Sequence, residues 1–363
     1  MILANAIESR QARSECGTED QRLKSIDQET VRDQLGRPLH DLRLSVLDRC
    51  NLRCSYCMPE ESLQGKGVFL PSQQLLSDSE IETLVRVFVR LGVHKLRLTG
   101  GEPMLRPGLP ALVRRLAGIE GIEDLAMTTN AILLPRMAGE LKEAGLGRIT
   151  VSLDSLDESV FRNMSGGRGS VAEVLAGIDA AEQAGFAQLK INTVVQRGVN
   201  DQTVMDLVRH FRGSGHTLRL IEFMDVGNIN HWSREQVVPG ASLLKAIHDR
   251  WPVRPVALQA AAETARRYEF TDGAGEIGFI NSITEPFCGD CSRARVTADG
   301  MFYSCLFSSR GTALRPLLRQ GVDADGMHEL LERIWSGRAD RYSEERNGAG
   351  GKRSKVEMYR MGG

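Results

Sequence analysis

From Asp41 onward the chain alternates short apolar runs with stretches whose apolar positions recur every three or four residues. The runs Leu42–Val46, Leu96–Thr99, Asp124–Thr128, Ile149–Leu153, Leu189–Val195 and Leu218–Phe223 predict six strands. Between them, the spacing of Ile81, Leu84, Val85, Phe88 and Leu91 predicts a helix, as do Leu109–Leu116, Met137–Ala144, Val171–Ala184 and Val204–Phe211. Strands separated by helices form a parallel sheet, because each parallel connection needs a crossover. Polar residues gather at the strand ends, at Glu102, Thr128, Asn130, Ser152 and Asp154. A barrel brings such ends to one mouth, so the expected fold is α/β, a partial (β/α)6 TIM-type barrel over residues 41–240.

The regularity fails after Gly227. Gly240–Arg250 predicts a helix, Trp251–Pro255 a Pro-punctuated link, and Arg266–Ile280 short strands around Asp272-Gly273. Arg293–Thr297 and Met301–Cys305 flank Asp299-Gly300 as a hairpin, and residues 313–335 predict one or two helices. Residues 241–363 are therefore expected to form a small α+β domain. Residues 1–40 lack sustained periodicity and are expected to be a flexible extension with one short helix.

Composition narrows the function classes. Of 363 residues 41% are hydrophobic and 26% charged, which excludes a disordered chain, and no apolar run approaches the ~18 residues of a membrane span. A net charge of −1 argues against coating nucleic acid or an anionic membrane. Met1–Glu15 has no apolar signal core, so a cytoplasmic location is expected. Seven cysteines in a reducing compartment suggest metal or catalytic chemistry rather than disulfides.

Six of the seven fall in two sets, Cys50, Cys54 and Cys57, then Cys288, Cys291 and Cys305, whereas Cys16 stands alone. Three thiolates within eight residues can hold one corner of an iron–sulfur cube, leaving one iron open. A zinc knuckle is the plainer alternative for the first set. For the second, His248 or His231 could complete a structural zinc site. Gly100 and Gly101, before Glu102, let backbone approach a ligand without Cβ obstruction. Arg293 and Arg295 share one face of their strand, beside the second set. Arg43, Lys95, Arg97, Lys190 and Arg219 add cations on the barrel strands, and an interior so lined suits a polyanion such as a nucleoside triphosphate. There is no Walker A sequence to hold it through backbone.

The Cys-x3-Cys-x2-Cys triplet and Gly100-Gly101-Glu102-Pro103 together resemble the radical S-adenosylmethionine (SAM) superfamily. That resemblance implies a 4Fe–4S cluster on Cys50, Cys54 and Cys57 whose open iron binds SAM and whose reduction yields a 5′-deoxyadenosyl radical. It also implies SAM contacts from Tyr56, Gly100, Gly101, Glu102, Ser152 and Met224. With the Cys288–Cys305 segment and the terminal Gly362-Gly363, the match from Asp41 onward resembles the GTP 3′,8-cyclase family of molybdenum cofactor biosynthesis. The resemblance implies a second 4Fe–4S cluster on Cys288, Cys291 and Cys305, with GTP held by Arg43, Arg97, Thr128, Lys190, Arg293 and Arg295, and further by Lys95 and Arg219. It implies a homodimer, an external electron donor, a downstream pterin synthase, and a double-glycine tail entering the cavity. Two positions depart from the family: Leu47 replaces its usual Thr and Ala131 its usual Gly. The rival expectations are a radical SAM peptide-maturing enzyme with an auxiliary cluster and a non-catalytic metal-binding interaction protein.

Overall fold

A computed structural model describes residues 30–63, 69–257, 263–346 and 355–362. Cys16, most of the expected extension and Gly363 lie outside the described residues. The chain runs β1 (Asp41–Ser45), α1 (Asp78–Arg90), β2 (Lys95–Thr99), α2 (Leu109–Ala117), β3 (Asp124–Thr129), α3 (Leu134–Glu143) and β4 (Arg148–Ser152). It continues through α4 (Glu158–Met164), α5 (Val171–Gln183), β5 (Lys190–Val195), α6 (Val204–Phe211) and β6 (Thr217–Glu222). The six strands and five helices expected from periodicity are all present; α4 is additional, too short for its period to register. α1 shows why the local pattern succeeds: Ser77 and Glu80 form a capping box, and Ile81, Leu84, Val85 and Phe88 make one buried stripe.

The C-terminal part supplies α7 (Gly240–Arg250), β7 (Val253–Pro255), β8 (Arg266–Phe270), β9 (Glu276–Ile280), β10 (Arg293–Val296), β11 (Met301–Tyr303) and β12 (Thr312–Ala313). Helices α8 (Leu314–Arg319), α9 (Ala324–Ser336), α10 (Tyr342–Glu345) and α11 (Met358–Met361) follow. The link expected at Trp251–Pro255 contains strand β7, which lies at the sheet edge, where proline leaves no ladder bond broken.

All strands join one sheet in the order β12-β11-β10-β1-β2-β3-β4-β5-β6-β9-β8-β7. β10 pairs in parallel with β1 and β9 with β6, so strands from beyond residue 240 extend both flanks of the six-strand core. The alternation of side chains then divides each strand. Leu42, Leu44, Leu96, Leu98, Ile149, Val151, Leu218 and Leu220 are buried in the hydrophobic core. Their neighbours Arg43, Arg97, Ser152, Lys190 and Arg219 line an interior cavity.

Residues 30–40 correct the expectation of a flexible extension through residue 40. Val31 and Leu39 are buried, and Arg32 bridges to Pro38. Arg37 is 2% exposed and ion-paired with Asp33 at 2.6 Å. The segment's polar groups are spent within it and on the C-terminal part, which hydrophobic periodicity cannot reveal.

Candidate functional site

One cavity of about 950 Å³ is lined by both cysteine triads, by the seven cations named above and by Gly100 and Gly101. On its first wall the loop after β1 carries Cys50, Cys54 and Cys57. The loop is pinned from several elements. Arg53 N and Ser55 N donate to the carbonyls of Ser165 and Met164 at 3.0 Å, and Arg53 Nη1 donates back to Cys50 O at 2.7 Å. Gly101 N and Glu102 N donate to Leu47 O and Arg49 O at 2.7 Å. A Cβ on Gly100 would lie 2.5 Å from Leu47 O, and one on Gly101 2.2 Å from Arg49 O. These glycines thus let two backbones close on each other, a role additional to the ligand approach expected of them.

Glu102 is buried, and its carboxylate accepts from Met104 N, Thr129 Oγ1 and Asn130 N. Burial nonetheless pushes its acid up to about 7. The Tyr56 hydroxyl donates to Asp154 Oδ2 at 2.8 Å, and Val194 N donates to the other carboxylate oxygen. Ser152 and Met224 line the same cavity.

The second triad sits beside β10 and β11. Arg293 Nη2 donates to Cys291 Sγ at 3.3 Å, and Phe307 N to Cys305 Sγ at 3.5 Å. Desolvation raises the Cys291 thiol, but the Arg293 and Arg338 guanidiniums outweigh it and hold the group down at about 7. Burial and Asp340 push Cys305 up to about 12. Neither histidine proposed for a zinc site lines the cavity: the His248 ring meets the Val253 backbone, and His231 stands on the loop after β6.

Strand register assembles the cations. Arg43 pairs with Arg97 on β2 and with Arg295 on β10, so three guanidiniums project side by side. Arg97 donates to Thr128 and Thr150, Arg219 to Asn192, and Arg295 to Gly362 O at 2.9 Å. These partners are neutral oxygens. Burial first, then mutual repulsion, lowers Arg43 to about 9, Arg97 to about 10 and Lys190 to about 8. Among the described residues no carboxylate forms an ion pair with these three cations, and Asp41 and Asp124 offset their charge only in part.

The comparisons agree with this geometry. The radical SAM superfamily matches residues 44–211, and Molybdenum Cofactor Synthesis C matches residues 216–344. A GTP 3′,8-cyclase of Xanthomonas campestris pv. campestris (strain 8004) is 55% identical over 341 residues, which is 94% of this chain and 100% of that protein. The chain belongs to the GTP 3′,8-cyclase family. Another relative of that name, from Acidothermus cellulolyticus, is 49% identical over 87% of this chain and 88% of its own length. The fold is similar to that of Streptococcus suis SuiB bound to precursor peptide SuiA, with TM-score 0.56 and 14% identity, covering 89% of this chain and 76% of that one.

In this GTP 3′,8-cyclase family member the donor chemistry fits the iron–sulfur cluster and SAM of radical SAM enzymes. All six cysteines are free, and soft thiolates suit iron better than hard cations. Among the described residues no three His, Cys, Asp or Glu side chains are drawn together as one bare metal ion requires. Each triad instead faces a volume open to a larger group. Sequence reasoning missed Arg148, Asn192, Phe287 and Arg338 in the cavity lining. Strand parity could have found Arg148 and Asn192, since they alternate with buried Ile149 and Ile191. No local signal marks Arg338, which reaches the site only through tertiary packing.

Proposed function

We propose that this chain converts GTP to (8S)-3′,8-cyclo-7,8-dihydroguanosine 5′-triphosphate, the first step of molybdenum cofactor biosynthesis. The observation that carries the proposal is that two cysteine triads and an in-register row of cations share one cavity. In this reading Cys50, Cys54 and Cys57 hold one 4Fe–4S cluster, and Cys288, Cys291 and Cys305 hold a second. Residues 41–240 then carry the SAM half of the enzyme and residues 241–363 the second-cluster half. With SAM on the first cluster, an external donor's electron supplies the hydrogen-abstracting chemistry at the ribose 3′ carbon.

The protein's own groups bind and orient. Tyr56, Gly100, Gly101, Glu102, Ser152 and Met224 form the SAM side. Arg43, Lys95, Arg97, Thr128, Lys190 and Arg219 receive the triphosphate, whose charge relieves their repulsion. Arg293 and Arg295 stand between that row and the second triad as an anion clamp on GTP, and the second cluster's open iron would hold the guanine end. Gly362, held by Arg295 and packed on Thr99, brings the tail against two residues of the cavity wall. A homodimer working in the cytoplasm and passing product to a pterin synthase completes the reading; no helix of the described residues is long and apolar enough to cross a membrane.

The test is anaerobic reconstitution with single turnover on SAM, dithionite and each of the four nucleoside triphosphates. Only GTP is expected to yield cyclised product. In the double variant R293A/R295A, GTP affinity should fall about 10- to 100-fold, the loss of one or two charged hydrogen bonds, while uncoupled SAM cleavage persists. Unchanged GTP affinity would remove the clamp, and cyclisation of another nucleotide would remove the substrate.

A further inference from the structure

Two buried guanidiniums outside the cation row grip the second cysteine loop by its backbone. Arg37 donates through Nη1 to Cys288 O at 2.8 Å and to Asp340 O at 2.9 Å, and through Nε to Asp33 at 2.6 Å. Arg338 donates through Nη1 to Cys291 O at 2.7 Å and pairs through Nε with Asp340 at 3.2 Å. Both side chains are 1% exposed. The frame closes on itself: Arg338 lies over the Trp335 ring at 4.6 Å, and Trp335 Nε1 donates to Arg37 O at 3.1 Å. Asp33 also stands 3.5 Å from Arg338, so one carboxylate serves both cations.

Burying two guanidiniums is costly, and apolar side chains of similar volume would fill the space at lower cost. What apolar residues could not do is donate to the carbonyls at both ends of Cys288-Gly289-Asp290-Cys291. We infer that Arg37 and Arg338 are positioning residues for the second cluster, clamping the first and last carbonyls of its ligand loop and placing positive charge beside its thiolates. The inference rests on the assignment of that cluster to Cys288, Cys291 and Cys305. Potentials of such clusters follow local charge and hydrogen bonding, so a cation here stabilises the reduced, more negative form. R338M removes the cation and leaves Asp340 with Ser304 Oγ as its side-chain donor. Lysine keeps the charge but loses the planar fork that spans two acceptors.

The experiment uses the full chain, reconstituted anaerobically, as wild type, R338M, R338K and R37M. Two readouts are followed: a dithionite titration monitored by electron paramagnetic resonance, and the rate of iron loss to a chelator. In R338M the second cluster's potential should become more negative and its iron should leave about tenfold faster, as for other partners that orient metal ligands. The first cluster's signal should not change. R338K should keep the potential and still lose iron faster, and R37M should follow R338M in iron loss. A second cluster in R338M with wild-type potential and chelation rate overturns the inference. Should R338M fail to accumulate, R338K decides through its chelation rate. About eight irons in the wild type with unmoved variants leaves the two-cluster reading intact and removes only the clamp; about four removes the second cluster itself.

Discussion

Tyr56 lies between two cysteines, where sequence alone fits a packing residue as well as a ligand contact. Its hydroxyl has a local task in either case, because this half-buried phenol donates to the buried Asp154 carboxylate at the tip of β4. Desolvation raises the Asp154 acid to about 6, against a reference near 3.9, and the hydrogen bond from Tyr56 opposes that rise. The folded state therefore holds the proton longer than the unfolded chain, and stability falls as pH rises from about 4 to about 6. Y56F should lower the unfolding free energy of the cluster-free protein by about 2 kcal/mol at pH 8 and by less at pH 5, where the acid is protonated. Urea denaturation at the two pH values checks this; equal losses would mean that the hydroxyl does not serve the carboxylate. At Ala131, φ is +68°, in the left-handed region, which accounts for the family's usual Gly there.

At the scale of elements, the six core strands were legible to within about a residue, because their apolar runs reflect burial that each strand carries locally. The loops after β1 and β2 were legible only as motifs. Their mutual contact, Gly101 N to Leu47 O and Glu102 N to Arg49 O, joins segments that no local period connects. G101A drives a methyl group into the Arg49 carbonyl, and neither backbone has a flexible end to yield. Overpacking of that kind costs about 1–3 kcal/mol. The strain falls on the first cysteine loop, so iron per chain should drop toward half while the second triad keeps its share. Iron and sulfide analysis after reconstitution measures it, and full iron content would show that the two loops need not close.

Across the whole molecule the cavity concentrates positive charge that Asp41 and Asp124 offset only in part. Among the described residues no carboxylate forms an ion pair with Arg43, Arg97, Lys190, Arg219, Arg293 or Arg295. GTP or inorganic triphosphate should therefore raise the melting temperature of the apo protein by several degrees, as ~2.7 kcal/mol at a hundredfold excess over Kd implies. Lys190 adds a pH signature. Its pKa is lowered to about 8 by burial and by Arg219, Arg148 and Arg97, and a bound polyanion favours the protonated form. Affinity should stay level below pH 8 and decline from there toward about 10.4, with proton uptake on binding. Calorimetry in buffers of different ionisation heat detects that uptake; its absence would place Lys190 away from the phosphates. By itself the sequence determined the order of strands and helices, the ligand types and which strand positions share a face, since these follow from periods of two and 3.6 residues and from side-chain chemistry. Only the tertiary structure decided that β10 lies against β1, that Arg43 stands between Arg97 and Arg295, that residues 30–40 brace the second loop, and that both triads open on one cavity. Those facts depend on pairing between distant segments, whose register is set by packing over the whole chain and leaves no local trace.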